Sequence, residues 1–208
     1  MNLTREFLKA KHWQLFLLMF AVPLLFQVFL MASLVTNLAK GDPPDPTVFS
    51  PIMMIFPLLI MLCVGTMFGW LWSVAIGLQP KVPSHIKMKV PKFKVLFFIP
   101  VTYIVIIMTG VMILLSQPYT PSENNQPNVG LIGLSMLVII PLHLFSIFCI
   151  FYCLYFAAKT MMTAELQRET SFSDFAGEFF LFWFHPIGVW VIQPRINKLA
   201  ENLDETQK

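Results

Sequence analysis

The sequence predicts an all-α membrane protein, with four transmembrane helices followed by a broken C-terminal element of re-entrant or interfacial kind. Three observations predict it. Only 12% of the 208 residues are charged and 57% are hydrophobic, whereas soluble domains carry about 25% charged residues. Four long runs contain no formal charge: Trp13–Ala39, Thr47–Pro80, Val95–Ser122 and Asn124–Ala158. A last apolar stretch, Phe179–Ile192, is interrupted by Pro186 and is too short to be a fifth such run. A helix rises about 1.5 Å per residue and the hydrocarbon layer is about 30 Å thick, so about 20 apolar residues cross it. Each of the four runs passes that test. A water-soluble reading would need four buried helices without a polar face.

Taken in order, the chain opens with LTREFLKAKHW, a short amphipathic lead-in. Residues 13–38 form the first span. The preceding Arg5, Lys9 and Lys11 resemble the start of a signal peptide, but secretory apolar regions are about 7–15 residues long, so an uncleaved helix is expected. The segment GDPPDPTVFSP reads as a turn stiffened by proline's fixed φ. Residues 52–78 form the second span. Within it Gly65, Gly69, Ser73 and Gly77 recur every fourth position. Such small residues on one stripe let helix backbones approach closely in lipid.

The connector KVPSHIKMKVPKFK brings Lys81, Lys87, Lys89, Lys92 and Lys94 with no acid. Polybasic segments beside a membrane attract anionic headgroups by about 1 kcal/mol per residue. Lipid contact is therefore expected here, and no nucleic-acid partner. Residues 95–116 form the third span, and the proline-rich QPYTPSENNQPN follows as a second turn. Residues 129–158 form the fourth, with helix formers extending it to about Glu169. Pro23, Pro57, Pro100 and Pro141 put one proline in each span; neighbouring helices satisfy the carbonyls they free. His143 sits at mid-span, and Gln27 of the first helix is its expected hydrogen-bond partner. Cys63, Cys149 and Cys153 lie inside spans in no metal or disulfide spacing. Neither a metal nor a cofactor is expected.

Residues 1–170 thus read as a membrane bundle and 171–208 as an interfacial element with a polar tail. Ser171 and Asp174 match a capping box. A helix is expected near 173–184, then a bend at His185-Pro186-Ile187-Gly188 and a second short helix. Trp183 and Trp190 suit the membrane interface. Glu178, His185 and Arg195 are the candidates for any acid–base chemistry, with Glu178–Arg195 or Glu178–His185 contacts as the structural alternative.

Basic residues accumulate in cytoplasmic segments. Four spans with an inner N-terminus put 13 of the 14 Lys and Arg residues inside, leaving Lys40 outside. A fifth span would move Arg195, Lys198 and Lys208 across. Both termini are therefore expected in the cytoplasm.

The segment AELQRETSFSDFAGEFFLFWFHPIGVWVIQPRINKL, Ala164 to Leu199, resembles the C-terminal signature of a group of bacterial multi-span membrane proteins of uncharacterised activity. That resemblance implies a bacterial inner-membrane setting and carries over no catalytic residue. The residues themselves favour a non-enzymatic scaffold or accessory subunit of a membrane complex, assembled as a homo-oligomer or with another membrane protein. The alternatives are a small transporter or channel subunit and a lipid-active enzyme.

Overall fold

The structure, a computed structural model, describes residues 3–41, 46–116 and 129–205. The elements are α1 Leu3–Lys9, α2 His12–Phe16, a π-turn Leu17–Ala21, α3 Val22–Ala39, α4 Pro46–Gly77, α5 Val90–Ser116, α6 Val129–Leu166, α7 Phe172–Trp183 and α8 His185–Glu205. Four stretches are long and apolar enough to cross a membrane: His12–Ala39, Ile55–Lys81, Val90–Ile113 and Met136–Leu166. The fold is an all-α membrane bundle with a broken C-terminal element folded back upon it. Of the two expected turns, residues 42–45 and 117–128 lie outside the described residues. The second helix starts at Pro46, ahead of the expected 52.

Each departure from a straight helix has a local cause. Pro23 has no N–H to offer the Met19 carbonyl four residues earlier, and the chain widens into a π-turn over Leu17–Ala21. The freed Met19 carbonyl accepts the Cys63 thiol of α4 at 2.8 Å. The fourth span ends at Leu166, short of Glu169, because Gln167 turns left-handed at φ +53°. Its amide then donates to the Ala164 carbonyl and, at 2.9 Å, to the Lys81 carbonyl of the basic connector. The last turn of α6 is thereby tied to the end of α4.

The C-terminal element differs from expectation in two ways. The break is a single residue, Phe184 (φ −86°, ψ 53°), rather than His185–Gly188. The second helix is not short; it runs 21 residues from His185 to Glu205. Pro186 explains both, because in the first turn of a helix a proline's missing N–H has no partner to lose. It therefore starts α8 instead of interrupting it.

The two helices fold back on each other as a tight hairpin, with Glu178 of α7 reaching Arg195 of α8 at 2.9 Å. At its crossing, a Cβ on Gly188 would fall 1.7 Å from the Leu181 carbonyl oxygen, so only glycine fits. α7 runs back along α6, with Thr170 on Thr163 at 2.8 Å, Phe175 on Tyr155 and Trp183 on Phe151. The buried core lies at this end of the bundle, around Trp70, Leu71, Val74, Phe93, Phe156, Met161, Phe182 and Ile192. Towards the other end the helices separate: Leu30 is the one buried residue of α3, and residues 136–145 of α6 are exposed.

Candidate functional site

The hairpin is joined to the bundle by buried amides. Gln193 of α8 is fully buried and accepts the Trp70 indole N–H of α4 at 2.7 Å. Its NH₂ group donates to the carbonyls of Phe7 and Ala10, at 3.0 and 2.8 Å. One turn later Asn197 donates to the Leu8 and Ala10 carbonyls, at 2.7 and 3.1 Å. These are the carbonyls that a helix leaves unpaired at its C-terminus. Two amides at i and i+4 of α8 thus cap α1, and one side chain links α1, α4 and α8. A buried donor or acceptor left unpaired costs about 1–3 kcal/mol, so the node fixes these three helices in one arrangement.

The small-residue stripe of α4 faces the same N-terminal helix. A Cβ on Gly69 would meet the Phe7 ring at 2.7 Å, and one on Gly77 would meet Leu8 and Thr4 at 2.7 and 2.8 Å. Ser73 is buried between them and donates its hydroxyl to the Gly69 carbonyl at 2.7 Å. Gly65 meets nothing within 4 Å. The partner of the stripe over Gly69–Gly77 is therefore the chain's own α1.

The three acid–base candidates do not converge. Glu178 accepts from Arg195 at 2.9 Å, and Arg195 also binds Glu165 of α6 through two nitrogens and touches the Met162 sulfur at 3.1 Å. Burial would lower the Arg195 pKa, but the bonds to Glu165 and Glu178 outweigh it and raise it. Both carboxylates are thus held against a permanent cation that bridges α6, α7 and α8. His185 lies at the far end of the hairpin, where burial lowers its pKa and an opposing bond to the Trp183 backbone only moderates the shift. Burial thus favours the neutral imidazole, and Glu178 bonds to Arg195 rather than to it.

The capping box at Ser171 is formed, with the Asp174 carboxylate accepting the Ser171 N–H at 2.8 Å. Arg168 adds an ion pair to Asp174 at 2.7 Å. That guanidinium and the Ser171 bonds hold the carboxyl well below the usual range. Among the described residues no group of three His, Cys, Asp or Glu could hold a metal.

The mid-span polar residues are not partners. His143 pairs with Tyr103 of α5 at 3.2 Å between the Tyr hydroxyl and Nδ1, not with Gln27. Gln27 is exposed on α3 and has no hydrogen-bond partner among the described residues. With Val28, Met31, Ala32, Val35 and Thr36 it lines a shallow groove of about 500 Å³.

Of the lipid-contact candidates, Trp183 and Trp190 are half-exposed and flank the hairpin tip. Trp183 stacks edge-on to Phe151, and Trp190 packs on His12 and Phe16. Lys87, Lys89 and Lys92 line a cleft of about 320 Å³ with Tyr152, Tyr155 and Lys159. Lys81 and Lys94 lie outside it; Lys81 is half-buried in the short turn that follows α4 and Lys94 is exposed.

Sequence reasoning missed Trp70, Gln193, Asn197 and Glu165. The only signal was the pair of amides four residues apart in IQPRIN, on a face otherwise apolar. Comparison of the chain with protein-family models, with curated proteins and with solved structures finds no match.

Proposed function

We propose that the protein is a non-enzymatic scaffold or accessory subunit of a membrane complex. It sits in a bacterial inner membrane with the N-terminus, the lysine connector and the C-terminal hairpin in the cytoplasm. One observation carries the reading. Gln27 lies near the middle of the first span, exposed, with no partner among the described residues. A polar group facing hydrocarbon is costly, and side-chain amides hydrogen-bond across helix interfaces in lipid. The natural occupant of the α3 groove is a transmembrane helix that offers Gln27 a hydrogen bond, with Ala32 allowing close approach. Against chemistry stands the use of the charges: Glu165, Glu178 and Arg195 are engaged with one another, and Asp174 with Arg168. Against a transport path stands an apolar core of Trp70, Leu71, Phe93 and Phe156.

The test is photocrosslinking in intact membranes with p-benzoylphenylalanine at Met31, in the same groove as Gln27, and at Phe98 of α5 as a lipid-facing comparison. Phe98 is 55% exposed. A discrete crosslinked product from position 31, weakened when Gln27→Leu is added to the same chain, is expected. Its mass tells a second copy from another protein. Equal, diffuse products at both positions would refute the reading.

A further inference from the structure

We propose that the seam between α5 and α6 is a binding site for one anionic phospholipid, with its phosphate in the lysine cleft and an acyl chain in the apolar groove beyond. The cleft is lined by Lys87, Met88, Lys89, Lys92, Tyr152, Tyr155, Phe156, Lys159 and Glu169. Four ammonium groups thus face one carboxylate. None of the four lysines is in an ion pair among the described residues. Lys92 Nζ stands 5.0 Å from the centre of the Tyr152 ring, which holds the cation over the cleft. The hydroxyls of Tyr152 and Tyr155 have no hydrogen-bond partner among the described residues, so both are free to donate. Lys89 and Lys92 belong to the first turn of α5 or the residue before it, where a helix dipole also favours an anion. A phosphate diester matches this set in charge and in donors.

A free phosphate offers the same chemistry, but a second feature selects a lipid. Further along the same seam, Phe98, Ile99, Thr102, Tyr103, Ile106, Ile107, Ile139 and Leu142 line an apolar groove of about 660 Å³. Lys92, Ile99, Tyr103 and Ile106 fall at i, i+7, i+11 and i+14, on one stripe of α5. Ile99 lies about 10 Å along the helix from Lys92. The groove therefore begins where the glycerol of a lipid seated on Lys92 would release its acyl chains. Charge-free sequence starts at Val95, so the cleft sits at headgroup level and the groove within hydrocarbon. The inference rests on the chain's membrane fold and holds whether or not a protein partner covers α3.

Native mass spectrometry of the full-length protein, delipidated in mild detergent, tests it. Phosphatidylglycerol, phosphatidylcholine of the same chains, and inorganic phosphate are offered in separate titrations. Phosphatidylglycerol is expected to bind one per chain and well above phosphatidylcholine. Lys92→Gln with Lys159→Gln should weaken it roughly 30-fold, whereas Lys94→Gln, just outside the cleft, should leave it unchanged. Ile106→Trp, which fills the groove, should weaken the lipid and not phosphate. Equal binding of both lipids, or an equal loss from Lys94→Gln, would overturn the site. Saturable phosphate binding with lipid binding indifferent to Ile106→Trp would make the occupant a free phosphate and overturn the lipid.

Discussion

At the scale of single residues, the polar groups of this protein divide by whether the sequence places their partners close by. Ser171, Asp174 and Arg168 lie within six residues of one another, and their contacts follow from capping rules. The Glu178–Arg195 pair spans one hairpin and was also legible. Gln193 and Trp70 are separated by 123 positions, and Cys63 reaches the Met19 carbonyl across 44. Neither follows from spacing, because each depends on how separate helices dock. Gln27 was expected on His143 and stands alone, while Tyr103, unremarked in the sequence, occupies that role.

One residue carries a pH dependence near neutrality. His185 has its pKa lowered in the folded state from the ordinary 6.5, chiefly by burial. A depressed pKa contributes stability that is present above 6.5 and is lost as pH falls from there. The melting midpoint in mild detergent is expected to hold steady in neutral and alkaline buffer and to drop from about pH 7 to about pH 5. His185→Gln should flatten that slope. An unchanged slope in the variant would assign the titration to another group. The depressed Asp174 carboxyl acts with the same sign but below the ordinary carboxylate range of 3.8, so the two windows are separate.

At the scale of elements, four spans were legible because hydrocarbon thickness sets a length and charge sets the ends. Four helices are long and apolar enough to cross a membrane, as the four charge-free runs require. The hairpin was foreseen as a helix, a break and a second helix, but not with a second helix this long. An apolar-length argument stops at Ile192, whereas α8 continues through IQPRINKLAENLDE on amide and charge contacts to α1 and α6. Its close crossing depends on Gly188. Gly188→Ala puts a methyl into the Leu181 carbonyl, a contact that the backbone must relieve. Loss of several degrees in melting temperature, or failure to accumulate in the membrane, is expected. Gly177→Ala, on the same hairpin with nothing within 4 Å, should be neutral or slightly stabilising, since alanine favours helix by about 1 kcal/mol. Circular dichroism melts of the two variants decide; equal behaviour would mean that the helices do not cross at Gly188.

At the scale of the whole molecule, the bundle has a tight end and an open end. At the tight end α1, α8 and the turn after α6 converge on the end of α4, held by buried amides, one arginine bridge and an aromatic core. At the open end α3 and the outer part of α6 present apolar side chains with few protein neighbours. That asymmetry suits a subunit whose rigid part fixes its position and whose open helices meet lipid or another membrane helix. The hairpin links the chain's two ends and places its base, at Arg195 and Glu165, beside the lysine connector.

The most direct measurement is labelling of single cysteines, Lys87→Cys in the connector and Lys198→Cys in α8, each in a chain whose Cys63, Cys149 and Cys153 are replaced by alanine, by a membrane-impermeant maleimide. Because the hairpin turns back, both positions lie on one side, and in the proposed orientation both should be silent in intact cells and both should react once the membrane is opened. Labelling of Lys198→Cys in intact cells, with Lys87→Cys still silent, would show the C-terminal element crossing the bilayer and would contradict the account.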